Sequence, residues 1–278
     1  MSKIDLVMWT KDGAETLPLV LGRIDEIIPQ ETVNKRIIID DHSKDETREI
    51  AKAFGWQVIF NEGKGISDGA NTGLKHVASS HFISFEQDLL LAKEWWQKIP
   101  PHLSGDDVII ASGIRLTKHP PALRKLEEYT FERYERRMHL EKDYENLHSG
   151  KTIDNTIYKT EALRRLGGFP RLLNSTATDA ELARRVSLAG YEWKVDYGVR
   201  SVHLRKGLRD ELAHRYWYGS CWKRDDPWTK PILLRFLFSP FRGLQIAINK
   251  KAPEIVYIYP LLRFYTLKGV LLRGTRSK

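Results

Sequence analysis

The chain has 278 residues, 41% of them hydrophobic and 29% charged, with 45 Lys and Arg against 36 Asp and Glu. Such a composition supports a sizeable core and excludes disordered, collagenous and disulfide-scaffold proteins. Cys221 is the only cysteine, so neither an internal disulfide nor a Cys-rich zinc site can form, and a reducing, cytoplasmic setting is expected.

In chain order, Ile4–Met8 reads as a short buried strand. The residues before it lack the basic flank, apolar run and cleavage site of a secretory leader, so secretion is not expected. Glu15–Ile28 reads as a helix, Arg36–Ile39 as a strand ending in Asp40-Asp41, and Asp45–Phe54 as a helix. A strand at Gln57–Phe60, a glycine-rich loop, a helix near Asp68–Val77 and a strand at His81–Phe85 follow. This alternation predicts an α/β fold with a mostly parallel sheet, whose ligands sit beyond the carboxyl ends of the strands. Polar clusters fall at those ends: Thr10 to Asp12, Asp40 and Asp41, Asn61 to Gly65, and Glu86-Gln87-Asp88.

The second half is more mixed. Val108–Ala111 reads as a strand and Leu123–Asn146 as a long helix with an exposed charged face. His148, Lys151 and Asp154 fall in a glycine-containing loop that reads as solvated, with contact to acceptor or donor phosphate as the alternative. Thr160–Arg165 is a helix ended by Gly167-Gly168, Asp179–Ala189 a helix stopped by Gly190, and two strands at Tyr191–Val195 and Arg200–His203 close the region.

From Leu204 to Lys278 there are 16 Lys and Arg against 5 Asp and Glu, and 12 of the 29 aromatic residues. The basic charge therefore belongs to the tail, and three regions are expected: 1–112, 113–205 and 206–278. Apolar segments between Pro231 and Lys278 are interrupted by Arg235, Arg242, Arg263, Lys268 and Arg273, as in interfacial helices that meet an anionic membrane surface, with a helical cap or dimer contact as the alternative. Pro240 and Pro260 are expected to break the tail into short pieces. The longest run free of Asp, Glu, Lys and Arg is His76–Phe85, ten residues, against the about 20 apolar residues of a membrane span, so no crossing helix is expected. No nucleic-acid-binding module is present, so no nucleic-acid partner is expected.

The chemistry is concentrated in a few positions. Glu86 and Asp88 follow an apolar strand, and hard divalent ions such as Mg²⁺ or Mn²⁺ take one or two carboxylates and fill their remaining positions with water and phosphate oxygens. Two adjacent acids at Asp40-Asp41 are costly unless a donor compensates them, and a carboxylate there can accept from a nucleobase or ribose. Lys64 in the glycine-rich loop is placed to meet anionic oxygen. Neither GxxxxGK[ST] nor GxGxxG after the first strand is present, which demotes P-loop and dinucleotide readings.

The series IIIDDHSKDET, NEGKGISDGANTGLKHV, FISFEQD, LRRLGGF, TDAELARRVSLAGYEW and a strand ending in His203 resembles the inverting family 2 glycosyltransferases of GT-A fold. The resemblance covers roughly Ile4 to His203. It implies a nucleoside-diphosphate sugar donor of UDP or GDP type, Mn²⁺ or Mg²⁺ as cofactor, and an acceptor hydroxyl on a glycan or lipid-linked glycan. By the same resemblance Asp41, Thr10 and Asp12 line the nucleotide pocket, with Lys64, Glu86, Gln87 and Asp88 also on the donor. Asp88 and His203 become metal ligands, and Asp179 the general base. Glu86 stands where the family's metal motif begins with Asp, and Thr178 replaces a frequent acid. Three alternatives remain open at this stage: a polyprenyl-phosphate sugar synthase, a sugar nucleotidyltransferase, and an inactive membrane-surface adaptor of the same fold.

Overall fold

The computed structural model describes residues 3–138, 150–171, 178–204, 207–220 and 229–272. His148, Cys221, Trp222 and Trp228 lie outside them. In order, the elements are β1 (Ile4–Thr10), α1 (Leu17–Ile27), β2 (Val33–Asp40), α2 (Thr47–Ala53), β3 (Gln57–Phe60), α3 (Gly65–His76), β4 (His81–Glu86), β5 (Leu89–Leu90), α4 (Trp95–Lys98) and β6 (Val108–Thr117). They continue with α5 (Pro121–Met138), β7 (Thr156–Lys159), α6 (Thr160–Arg165), α7 (Thr178–Leu188), β8 (Glu192–His203), α8 (Leu208–Ser220), α9 (Thr229–Leu237), α10 (Ser239–Lys250) and α11 (Ile255–Leu272). The chain divides into two compact units, Met1–Arg115 with Tyr134–Leu204, and Leu116–Arg133 with Arg205–Lys278.

An eight-stranded sheet of order β3-β2-β1-β4-β7-β6-β8-β5 organises the first unit. The strands β3, β2, β1 and β4 are parallel, whereas β7 pairs antiparallel with β4 and β6, and β5 antiparallel with β8. The sheet is therefore mixed. Every residue of β1 is buried, as a strand covered on both faces requires. In α1, Leu17, Val20, Leu21 and Ile24 are buried at helical spacing and pack with Ile4, Leu6, Met8, Ile38 and Phe85 into the main core.

Asp5, also fully buried in β1, is satisfied at the amino end of the sheet. Its carboxylate accepts from the Ala78 and Ser79 amides at 2.6 and 2.9 Å, the Asn34 amide at 2.9 Å and the Ser79 hydroxyl at 3.0 Å.

Three local expectations change. The two strands anticipated at Tyr191–Val195 and Arg200–His203 are one continuous strand, β8. Gly198 lies within it, and burial alternates along its length. β6 runs on to Thr117, through Gly113. That glycine faces β8 so closely that a Cβ would stand 2.7 Å from the Val199 carbonyl oxygen, which explains a glycine inside a strand. β7, four residues after a loop, carried too short a pattern to be anticipated.

The second unit is helical. Ala122, Leu123 and Leu126 of α5 are buried with Ile246 and Ala247 of α10, Ala252, and Ile255, Ile258 and Leu262 of α11. One edge of α5 is thus core rather than solvated surface. Lys250 pairs with Glu132 at 2.6 Å, and Glu127 accepts from the Thr117 amide and hydroxyl at 2.6 and 2.7 Å. α8 and α11 cross with their backbones in contact: a Cβ on Gly219 would stand 2.0 Å from the Thr266 carbonyl oxygen, and one on Gly269 2.1 Å from that of Tyr216.

Pro240 opens α10 in the first turn, where its missing N–H costs nothing. Pro260, by contrast, lies inside α11 without ending it, the surrounding helices holding the segment together. With 18 residues and a mean hydropathy of 1.3, α11 is long and apolar enough to cross a membrane by length and composition, despite Arg263 and Lys268. A charge-free window overlooks such a helix.

Candidate active site

The parallel register lines up Thr10, Asp40 and Phe60 at the carboxyl ends of β1, β2 and β3, with Glu86 of β4 opposite Trp9. The loops beyond are knitted together through main-chain amides. Asp12, at φ +47°, accepts from the Lys44 amide at 2.7 Å and donates its own N–H to Ser43 Oγ at 2.9 Å. The Gly13 and Ala14 amides bond Thr47 Oγ1 at 2.8 Å and Asp45 at 3.0 Å. Asp12 and Thr10 therefore shape the rim.

Gln87 belongs to this clasp. Its Oε1 accepts from the Lys11 amide at 2.7 Å and from the Thr10 hydroxyl, and its Nε2 donates to the Lys11 carbonyl at 2.9 Å. A Cβ on Gly13 would meet Gln87 Oε1 at 2.6 Å, which is why the loop carries glycine there.

Asp40 and Asp41 have different roles. Asp40 is fully buried and caps the turn through the Ser43 amide at 3.1 Å. Asp41 is partly buried, receiving Asn61 Nδ2 at 3.0 Å, Lys11 Nζ at 3.3 Å and the Gly65 amide at 3.4 Å. Lys64 is exposed just before α3, its amide bonded to Asp68 at 3.0 Å.

Glu86, Asp88 and His203 converge, each offering one ligand atom within 4.8 Å of the others. His203 Nε2 lies 3.0 Å from Asp88 Oδ2, a meeting made by the β5–β8 pairing of Leu89 with His203. Asp88 is fixed further by its carbonyl, which accepts from the Leu204 amide at 2.8 Å.

Behind this cluster stands Arg115, at the end of β6, whose guanidinium donates to Glu86 at 2.9 Å and to Asp154 at 2.8 Å. Asp154 is 1% exposed, so the segment expected to be a solvated loop is at this residue part of the interior. Asp179, in the first turn of α7, accepts from the Ile153 amide at 2.9 Å, and its neighbour Thr178 shares a 2.6 Å hydroxyl contact with Ser67.

Two carboxylates, Glu86 and Asp154, thus share the Arg115 guanidinium, and the charges of Asp179 and Asp88 act on it from nearby. Burial, reinforced by the charge of Asp154, raises the Glu86 pKa to about 8 and that of Asp179 to about 7. Burial opposes the charge on Arg115, but Asp154 and Glu86 outweigh it and hold that guanidinium above its ordinary value. The donor set of two carboxylate oxygens and an imidazole nitrogen suits a divalent cation. The sequence reading missed Arg115. Its one signal was a lone cation between Ile114 and Leu116 in a segment otherwise apolar enough to be strand.

Residues 15–167 match the family described as Glycosyl transferase family 2. The chain belongs to this family. It is a glycosyltransferase, and the mixed sheet with its flanking helices is the GT-A fold. "Glycosyltransferase AglE" of Haloferax volcanii is 20% identical over 225 residues, covering 78% of this chain and 71% of that protein. Among solved structures, the mannosyltransferase PcManGT from Pyrobaculum calidifontis, in complex with GDP-Man and Mn²⁺, superposes with a TM-score of 0.65 at 14% identity, covering 99% of this chain and 88% of the other. Glucosyl-3-phosphoglycerate synthase from Mycobacterium tuberculosis, in complex with Mn²⁺, UDP and glucosyl-3-phosphoglycerate, does so at 0.53 and 16%, covering 79% and 77%.

Proposed function

We propose that this glycosyltransferase moves a sugar from a UDP- or GDP-type donor to an acceptor hydroxyl on a glycan or lipid-linked glycan, inverting the anomeric carbon in a metal-dependent reaction. The observation that carries the reading is the juxtaposition of Glu86, Asp88 and His203 with a third carboxylate, Asp179, whose pKa is raised to about 7. The solved neighbours that hold Mn²⁺ with GDP-Man or UDP support the same assignment.

In this mechanism the carboxylate of Asp41 accepts from the nucleobase or ribose, and Lys64 meets diphosphate oxygen. Asp88 and His203, with Glu86, would hold Mn²⁺ or Mg²⁺, which when bound would supply positive charge to the departing diphosphate. Asp179 takes the proton of the acceptor hydroxyl as its oxygen attacks the anomeric carbon. The new carbon–oxygen bond forms on the face opposite the breaking bond to the diphosphate, which leaves with its electron pair. A base with a pKa near the operating pH is best placed for such work, contributing roughly 10²- to 10⁴-fold. A phosphate acceptor, already ionised, has no proton to give, so the base-like setting of Asp179 favours a hydroxyl.

Thermal unfolding with UDP, GDP, CDP and ADP, each with and without Mn²⁺, tests this reading. At about 100 times the dissociation constant, one diphosphate with Mn²⁺ should stabilise the protein by about 2.7 kcal/mol, and Asp88→Ala should abolish the metal-dependent part. No shift with any nucleotide would exclude the assignment.

A further inference from the structure

Along α9 and α10 apolar side chains lie on both the inner and the outer side. Ile232, Gly243, Ile246 and Ala247 face inward, Ile246 and Ala247 sharing the helical unit's core with α5 and α11. On the outer side Leu233, Leu234, Leu237, Phe238, Phe241, Leu244 and Ile248 are between 50% and 76% exposed. Phe241, Leu244 and Ile248 recur at the spacing of one face of α10, the face a water-soluble helix normally reserves for charge, and Leu237 ends α9 just before it. So many exposed large apolar side chains on two adjoining helices mark an interaction surface.

The charge of the segment selects the partner. Between Thr229 and Lys251 there are five Lys and Arg and no Asp or Glu. Arg235 and Lys251 are exposed beside this surface. In a symmetric dimer the same patch faces its own copy, which would set cation against cation. An anionic surface with an apolar interior complements both features at once.

The two helices are bent by 60° at Phe238, and the inner side of α10 packs on α5 and α11. A Cβ on Gly243 would stand 3.2 Å from the Ile255 carbonyl oxygen. A helix packed against the protein along one side and apolar along the other is suited to lying in a bilayer surface rather than crossing it.

We propose that the outer face of α9 and α10 docks in the plane of an anionic phospholipid bilayer, with Leu237, Phe241, Leu244 and Ile248 entering the acyl boundary and Arg235 and Lys251 meeting lipid phosphates. This inference is independent of the transfer reaction, because it is tested without nucleotide.

Co-sedimentation of the full chain with phosphatidylglycerol–phosphatidylcholine vesicles, against pure phosphatidylcholine, reads the docking directly. Binding should require the anionic lipid and weaken several-fold at about 0.5 M NaCl, where surface attraction is screened. Arg235→Gln should lower affinity about fivefold. The double variant Phe241→Glu with Ile248→Glu should stop binding altogether while keeping the wild-type unfolding temperature, since both side chains are exposed. Equal binding to neutral vesicles, no binding to either, or undiminished binding by the double variant would overturn the proposal. So would a wild-type dimer, measured by light scattering, that the double variant converts to a monomer, because a second copy would then be the occupant.

Discussion

Asp179 combines a position in the first turn of α7 with burial beside Asp154, and its carboxyl is raised to about 7 as a result. Two consequences follow for Asp179→Asn. Turnover should fall by roughly 10²- to 10⁴-fold with donor affinity unchanged, and the rise of wild-type kcat/KM with pH through about 7 should disappear. The stability effect has the opposite sign. A folded-state pKa above the ordinary carboxylate value contributes stability that is complete at low pH and is lost as pH rises through about 7. Metal-free wild type should therefore lose more unfolding temperature between pH 5.5 and 8.5 than the Asn variant, and equal losses in calorimetry would contradict the burial of this charge.

Arg115 gives the complementary case. Arg115→Met leaves Glu86 and Asp154 without their shared cation and should cost about 3–5 kcal/mol at pH 8.5. The cost should be smaller at pH 6, where Glu86, raised to about 8, takes up a proton instead. A urea titration at the two pH values measures the difference, and a pH-independent cost would mean that Glu86 is ionised throughout.

Among the elements, the α8–α11 crossing depends on Gly219 and Gly269, because any larger residue drives a Cβ into the facing backbone. Gly269→Ala should destabilise the helical unit by about 1–3 kcal/mol. Gly22→Ala, in the middle of α1 with nothing within 4 Å of an added Cβ, should instead stabilise by about 0.5–1 kcal/mol. Circular dichroism melts of the two variants should move in opposite directions, and matching shifts would refute the close crossing. The elements also show what the sequence could disclose. The first four strands were legible because each is a β-branched or aromatic run set between amphipathic helices, and periodicity reports that directly. The antiparallel strands were harder to read: β5 has two residues, β7 has four, and β6 and β8 each contain a glycine whose role depends on a neighbouring strand.

Across the whole molecule, the same limit separates the parts of the site. Asp41, Glu86, Asp88 and Asp179 were legible because each sits at an element end within a recognisable local pattern. Arg115 and Asp154 were not, because their significance is the salt bridge between them across 39 positions of sequence. The two ends of the sheet treat buried acid differently. Asp5 is surrounded by four donors at the amino end, while Glu86 and Asp154 share Arg115 at the carboxyl end.

The clasp made by Gln87 changes what the tripeptide Glu86-Gln87-Asp88 encodes. A motif written as acid, any residue, acid treats its middle letter as silent. In this chain that letter needs both a hydrogen-bond acceptor and a donor on one planar group, because the Lys11 amide and carbonyl are read together. Glutamate at that position could supply only acceptors. The middle position therefore carries as much information as its neighbours, addressed to the first loop of the protein rather than to the ligand, and a search pattern that leaves it open discards the residue that joins β4 to β1 beyond their shared ladder.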